Sequence, residues 1–110
     1  MEIEKQHIDE GKSIAWLSYL GILVVIPILV QKDNPYVKFH VKQGIALFIF
    51  EFAWSFLQLI FNIIPYLGVL INIFVWLFFC ILVITGIVNS LSGKIIPLPV
   101  IGQIGEKFNF

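Results

Sequence analysis

Glu51 has the most chemistry to account for, because it is the one charged residue inside a long apolar stretch running from Gly44 to Asn89. On insertion scales, an acid near the centre of a spanning helix costs about 2.5–3.5 kcal/mol. It therefore needs hydrogen-bond partners, a wet path or a subunit seam. At about 100° per residue on a helix, His40, Gly44, Glu51, Ser55, Gln58 and Asn62 fall within about 60° of one another. Lys38 and Lys42 fall on the opposite side, from which, with Lys32 in the preceding loop, they reach the lipid headgroups.

Two chemistries fit this polar stripe. As structural glue, a neutral Glu51 with Ser55 and Gln58 bonds to neighbouring helices or to another subunit, with Ser18, Tyr19, Asn72 and Thr85 as candidate partners. As a pathway, the same face lines a route for ions, protons or a polar chain. An internal salt bridge would require a lysine to reach down from the end of a segment, since no spanning run contains Lys or Arg. His40 sits at interface depth and reads as a solvated or backbone-bonded imidazole rather than a switch or ligand. The sequence offers no metal-spaced Cys/His set, no phosphate-cradling glycine loop and no paired carboxylates, so neither metal nor cofactor is expected. Cys80 lies in an apolar run and reads as a small apolar filler. Trp16, Trp54 and Trp76 read as packing or lipid-facing residues.

The elements that carry the stripe follow from composition and from runs of uncharged residues. The chain has 110 residues, of which 59% are apolar and 13% charged. Soluble domains are about 25% charged, and a chain this short has too much surface to bury so much apolar material. Lipid is the solvent that suits it. Seven lysines and no arginine, with zero net charge and no basic cluster, exclude a nucleic-acid partner.

A spanning helix needs about 20 residues to cross about 30 Å of hydrocarbon. The run from Ser13 to Val30 just meets that length, and Pro27 is expected to kink its last turn. The run from Gly44 to Asn89 suits two crossings, divided at Asn62-Ile63-Ile64-Pro65-Tyr66-Leu67-Gly68. Asn34 and Pro35 read as cap and first position of a helix. The alternation over residues 37–42 is rejected as a strand, because a lone strand at a bilayer has no partner for its backbone. The expectation is an all-α integral membrane three-helix bundle with helices near 13–31, 35–62 and 66–91. It forms a single transmembrane domain over 1–110, with an acidic leader at 1–12 and a short C-terminal tail at 92–110. The leader and the lack of a small-x-small site argue against a cleavable signal peptide.

Three crossings put the N-terminus and the 62–68 turn on one side, with Lys5 and Lys12. The 31–43 loop and the tail share the other side, with Lys32, Lys38, Lys42, Lys94 and Lys107, and the lysine bias makes that side cytoplasmic. The expected partners are the lipid bilayer and other membrane subunits or further copies of the chain.

Two stretches carry a family resemblance. One comprises Ser18-Tyr19-Leu20-Gly21-Ile22-Leu23, then Ile26-Pro27, then Lys32-Asp33-Asn34-Pro35-Tyr36-Val37-Lys38-Phe39-His40-Val41-Lys42-Gln43-Gly44. The other comprises Ile87-Val88-Asn89-Ser90-Leu91-Ser92-Gly93-Lys94 with Leu98-Pro99-Val100-Ile101-Gly102. Over residues 14–105 the chain resembles a group of small bacterial polytopic membrane proteins of unknown function. That group is similar to the Tic-twenty subunit of the chloroplast inner-envelope translocon and to some magnetosome-membrane proteins. The resemblance implies an all-α polytopic fold, no enzymatic activity, and a role in a transport, translocation or assembly complex of a bacterial inner membrane. Tic-twenty proteins have four spans, whereas this chain reads as three.

Overall fold

In the computed structural model, residues 3, 5–31 and 33–108 are described. They form helices and turns, with no strand among them. Helix α1 spans Lys5–Ala15, α2 Val25–Val30, α3 Pro35–Phe61, α4 Leu67–Leu91 and α5 Gly102–Glu106; two 3-10 turns, Trp16–Tyr19 and Gly21–Val24, join α1 to α2.

The two long helices match the sequence expectation. Asn34 caps α3, its side-chain oxygen accepting from the amides of Tyr36 and Val37, and Pro35 occupies the first turn, where a missing N–H costs nothing. The segment 37–42 is helical, as the strand argument required. The turn after α3 is tight: a Cβ on Gly68 would run into the carbonyl of Phe61. Among the described residues, helices α3 and α4, 27 and 25 residues long, are the two helices apolar and long enough to cross a bilayer. At about 1.5 Å per residue α3 is about 40 Å long, roughly 10 Å more than the hydrocarbon core. That surplus lies at its Pro35 end, where the lysines are.

The first apolar run differs from the single helix expected over 13–31. It is helical in pieces and doubles back. Leu20 leaves the helical region, at φ −105° and ψ 44°, and Gly21 adopts φ +64°. A glycine enters that left-handed region without steric cost. From there the chain returns to the level it started from. Gln31 donates its side-chain amide to the carbonyl of Glu10 (3.0 Å), and Asn34 donates to the carbonyl of His7 (2.8 Å). Pro27, expected to kink a long helix, lies buried in the short returning helix α2.

Residues 5–31 are thus a re-entrant hairpin whose tip reaches Phe48, about halfway along α3. Non-helical backbone at such a depth is tolerated where protein covers it or a cavity adjoins it. The correction carries over to topology. Helix α1, Gln31, Asn34 and the tail lie at one end of the molecule, with the 62–66 turn at the other. The three-crossing arrangement, which put the N-terminus beside the 62–68 turn, does not hold.

What pins the hairpin is close packing on two glycines. The carbonyl of Ser18 lies where Gly44 of α3 would carry a Cβ, and the Tyr19 ring lies where Gly86 of α4 would carry one. Small residues permit this approach where apolar side chains alone give little net attraction in lipid. One core gathers Tyr19, Leu47, Leu82, Leu98 and Ile101, and a second gathers Ala15, Val24, Tyr36, Val37 and Val41. Both lie towards the end that carries the hairpin. Towards the 62–66 turn, apolar side chains such as Phe52, Phe56, Ile63 and Phe74 face outward, as a lipid solvent allows. Cys80 also faces outward rather than filling a core.

Candidate functional site

The structure divides the polar stripe into three parts. His40 and Gly44 are buried, Glu51 and Gln58 are half-buried, and Ser55 and Asn62 are exposed.

The first part is a closed polar knot. His40 is fully buried, with Nε2 3.0 Å from the carbonyl oxygen of Lys94 and Nδ1 2.5 Å from the Tyr19 hydroxyl. A carbonyl only accepts, so Nε2 carries the proton, and in the neutral ring Nδ1 accepts from Tyr19. The rings of Tyr19, Tyr36 and Phe39 meet the imidazole edge-on. One residue thereby joins the re-entrant hairpin, α3 and the segment after α4. Of the two readings of His40, backbone-bonded and solvated, the structure selects the first.

Three further residues complete the knot, and the stripe did not include them. The Tyr36 hydroxyl donates to the carbonyl of Ser90. Gln43, fully buried, donates to the carbonyl of Gly102 and accepts from the amide of Leu98, both at 2.9 Å. Asn34 ties α1 to the cap of α3. A sequence signal for Gln43 existed, because His40, Gln43, Gly44 and Leu47 share the i, i+3, i+4, i+7 spacing of a buried helix face. The tail is held as tightly as it is because it lacks side chains at the contact: a Cβ on Gly105 would meet the Lys42 carbonyl at 2.8 Å.

The second part is the Glu51 groove. Glu51 and Ser55 line a laterally open groove of about 450 Å³, with Tyr19, Leu20 and Gly21 of the hairpin tip on one wall and Trp76 and Val83 of α4 on another. The Ser55 hydroxyl donates to the backbone carbonyl of Glu51. The Glu51 carboxyl group has no hydrogen-bond or ion-pair partner among the described residues. The four partners considered for it are otherwise engaged or turned away. Tyr19 binds His40, Asn72 accepts from Trp54, and Thr85 donates to the Ile81 carbonyl. The buried Ser18 hydroxyl has no partner among the described residues. Counting about 1.5 Å per residue from Pro35, Glu51 lies on the order of 24 Å along α3, close to mid-membrane once the interfacial turns are subtracted.

The third part is interhelical glue. Trp54 Nε1 donates to Asn72 Oδ1 at 3.0 Å, and Trp76 Nε1 donates to Gln58 Oε1 at 3.4 Å. The two indoles, taken from sequence as packing or lipid-facing residues, thus each donate to an amide on the opposite helix. Gln58 accepts from Trp76, which was not among the stripe's candidate partners. Asn62 ends α3 and is exposed.

Lys38 is half-buried beside a pocket between α2 and α3, and Lys42 borders a second one with Glu106. Lys32, the third headgroup lysine, lies outside the described residues. Among the described residues, no group of three or more His, Cys, Asp or Glu side chains comes together in a way that could hold a metal ion.

A model of the magnetosome magnetite crystal formation protein family matches residues 7–105, from within α1 to within α5. The magnetosome protein MamF of Paramagnetospirillum magneticum (strain ATCC 700264 / AMB-1) is 34% identical over 89 residues, covering 81% of this chain and 77% of its own. The magnetosome protein MmsF of the same organism is 31% identical over 94 residues, covering 86% and 84%. A UPF0132 membrane protein of Archaeoglobus fulgidus is 33% identical over 93 residues, covering 83% and 87%. No solved structure matches the chain.

Proposed function

This chain belongs to the MamF/MmsF family of magnetosome magnetite crystal formation proteins, and from that premise we propose that it is a non-enzymatic membrane protein that works by lateral association in the bilayer. The Glu51 groove is the seam. The observation that carries this reading is an acid at mid-membrane depth, half-buried, unpartnered among the described residues and facing a groove open to the side. A carboxyl group in that position is not stable against lipid. Another membrane helix, from a second copy or a different subunit, would cover it and supply the missing hydrogen bond.

The same geometry supports an orientation. Every described lysine lies at the end formed by α1, the start of α3 and the tail, and the 62–66 turn has no charge. The lysine rule makes that end cytoplasmic, with both termini inside a bacterial inner membrane. The hairpin strengthens the bias seen in the sequence, because it moves Lys5 and Lys12 to the side of the other lysines.

A second reading has its own observation. The re-entrant tip at Leu20–Gly21 stands beside Glu51, and irregular backbone next to a polar side chain at mid-depth also suits a wet pathway built between subunits. The Tic-twenty likeness would give that pathway a transport or translocation role.

Counting subunits by single-molecule photobleaching in bilayers separates the readings. Glu51→Gln keeps a donor and an acceptor and leaves assembly intact. Glu51→Leu shifts the distribution towards monomer, by on the order of 1 kcal/mol. Monomers throughout for the unaltered protein, with no other membrane protein co-purifying in mild detergent, would refute the association reading. Loss of ion or proton flux from Glu51→Gln with assembly unchanged would favour the pathway.

A further inference from the structure

We propose that the chain is a one-sided wedge that gathers in curved membrane, with its Pro35 end in the convex leaflet. The wedge does not depend on how the Glu51 groove is used. Copies inserted the same way round point the same way, whether joined at that groove or not.

Two elements enter the bilayer from the Pro35 end and turn back. The first is the hairpin, whose tip at Gly21 meets Phe48, about 20 Å along α3 from Pro35. About 10 Å of that length is interfacial, so the tip stops short of the middle of a hydrocarbon core about 30 Å thick. The second is the tail, which runs down α3 and returns. On the way down the Lys94 carbonyl accepts from His40, and the Leu98 amide donates to Gln43. On the way back the Gly102 carbonyl accepts from Gln43, Gly105 lies against the Lys42 carbonyl, and Glu106 borders a pocket with Pro35 and Lys38. Gln43 stands about 12 Å from Pro35, which puts the turn over 97–101 at the edge of the hydrocarbon. Irregular backbone at that depth has to be satisfied within the protein. Pro97 and Pro99 bring no N–H to satisfy, and the Gln43 side chain supplies one acceptor and one donor.

Val100 shows what this turn faces. A β-branched residue at φ +67° is strained, and its side chain, 77% exposed, gains little from the protein. Ile96 and Ile104 are exposed as well. Acyl chains are the medium at this depth, and contact with them offsets the strain. Among the described residues, the chain therefore passes the level of Gln43 six times: in two limbs of the hairpin, in α3, in α4 and in two limbs of the tail. Between Glu51 and the 62–66 turn only α3 and α4 remain. Every inserted limb takes area from one leaflet alone. A body wider in one leaflet strains a flat bilayer and fits better where that leaflet is stretched, which is why one-sided insertion is curvature-sensitive. On the orientation proposed above, the convex leaflet is the cytoplasmic one.

Membrane tubes pulled from giant phosphatidylcholine vesicles test the wedge, with the full chain reconstituted at low density in both orientations. Ile64→Cys or Lys107→Cys, each in a Cys80→Ala background, is labelled from outside with an impermeant fluorophore, so each label reports one orientation. Molecules labelled at position 107 have the Pro35 end in the outer, convex leaflet and should be enriched in the tube, with a tube-to-vesicle ratio above one. Molecules labelled at position 64 are inverted and should be depleted, with a ratio below one. Val100→Asn, at an exposed position where asparagine tolerates the positive φ, should bring the position 107 ratio closer to one. Equal ratios for the two labels, or ratios in the reverse order, would overturn the proposal. An unchanged ratio in Val100→Asn would overturn the insertion of the tail turn.

Discussion

Gln31 donates its side-chain amide to the backbone carbonyl of Glu10 at 3.0 Å, across 21 residues of chain. This contact joins the two ends of a segment long enough to cross a membrane and shows that it returns to its starting level instead. The hairpin places its tip beside Glu51, puts α1 at the same end as the start of α3, and gives α3 and α4 a third element to pack against.

The hairpin rests on Gly44 and Gly86, so adding one carbon at either should be felt. Gly44→Ala drives a Cβ into the Ser18 carbonyl, and Gly86→Ala drives one into the Tyr19 ring. Each is expected to destabilise the protein by about 1–3 kcal/mol, the usual range for overpacking. Because both displace the same turn, the double variant should cost less than the sum. Equilibrium unfolding in mixed detergent micelles measures all three. Additive costs would mean that the two glycines support separate features.

The Tyr19–His40 bond should be worth more than its parts. Tyr19→Phe leaves Nδ1 of a fully buried imidazole without its donor, a loss of about 1–3 kcal/mol. A double-mutant cycle with His40→Leu removes both polar partners, and a coupling of about 0.5–3 kcal/mol is expected. Zero coupling would show that the two side chains contribute independently.

Gln43 should govern the tail without governing the membrane hairpin. Gln43→Leu removes the bonds to Leu98 and Gly102. Hydrogen exchange at the Leu98 amide should speed up, because its acceptor is gone, while amides in the middle of α4 keep their protection. Faster exchange throughout α4 would mean that the tail supports the whole fold.

The indole ladder between α3 and α4 should contribute modestly. Trp54→Phe and Trp76→Phe each delete one hydrogen bond to an amide on the opposite helix. Interhelical bonds of this kind in membranes average about 0.6 kcal/mol and reach about 1.7 kcal/mol. Unfolding measurements outside that range would assign the tryptophans another role.

Helices α3 and α4 were legible in the sequence because long uncharged runs, the Asn34–Pro35 cap and the break at Pro65 are all local signals. The re-entry was not. A single glycine is ordinary inside a spanning helix, and nothing near Gly21 announces that it must take a positive φ. That requirement comes from Gly44 and Gly86, which lie far along the chain. The stripe was found by angle on one helix, so it grouped His40 with Glu51, although one is enclosed by the tail and the other is not. Gln43 falls about 60° outside that angular range, and its partners in the tail have no periodicity to reveal them. The tryptophans were read by their rings, and their N–H groups find partners only once the two helices are paired.

Whether residues 5–31 re-enter or cross decides whether the Glu51 groove exists. Single cysteines placed at Asp9, Asp33, Ile64 and Lys107 in a Cys80→Ala background, labelled with a membrane-impermeant maleimide in intact cells and again after lysis, measure this directly. Re-entry predicts that Ile64→Cys labels from outside, while positions 9, 33 and 107 label only after lysis. Labelling of position 9 together with position 64 from outside, with 33 and 107 protected, would mean that the first segment crosses the membrane, and would contradict the hairpin.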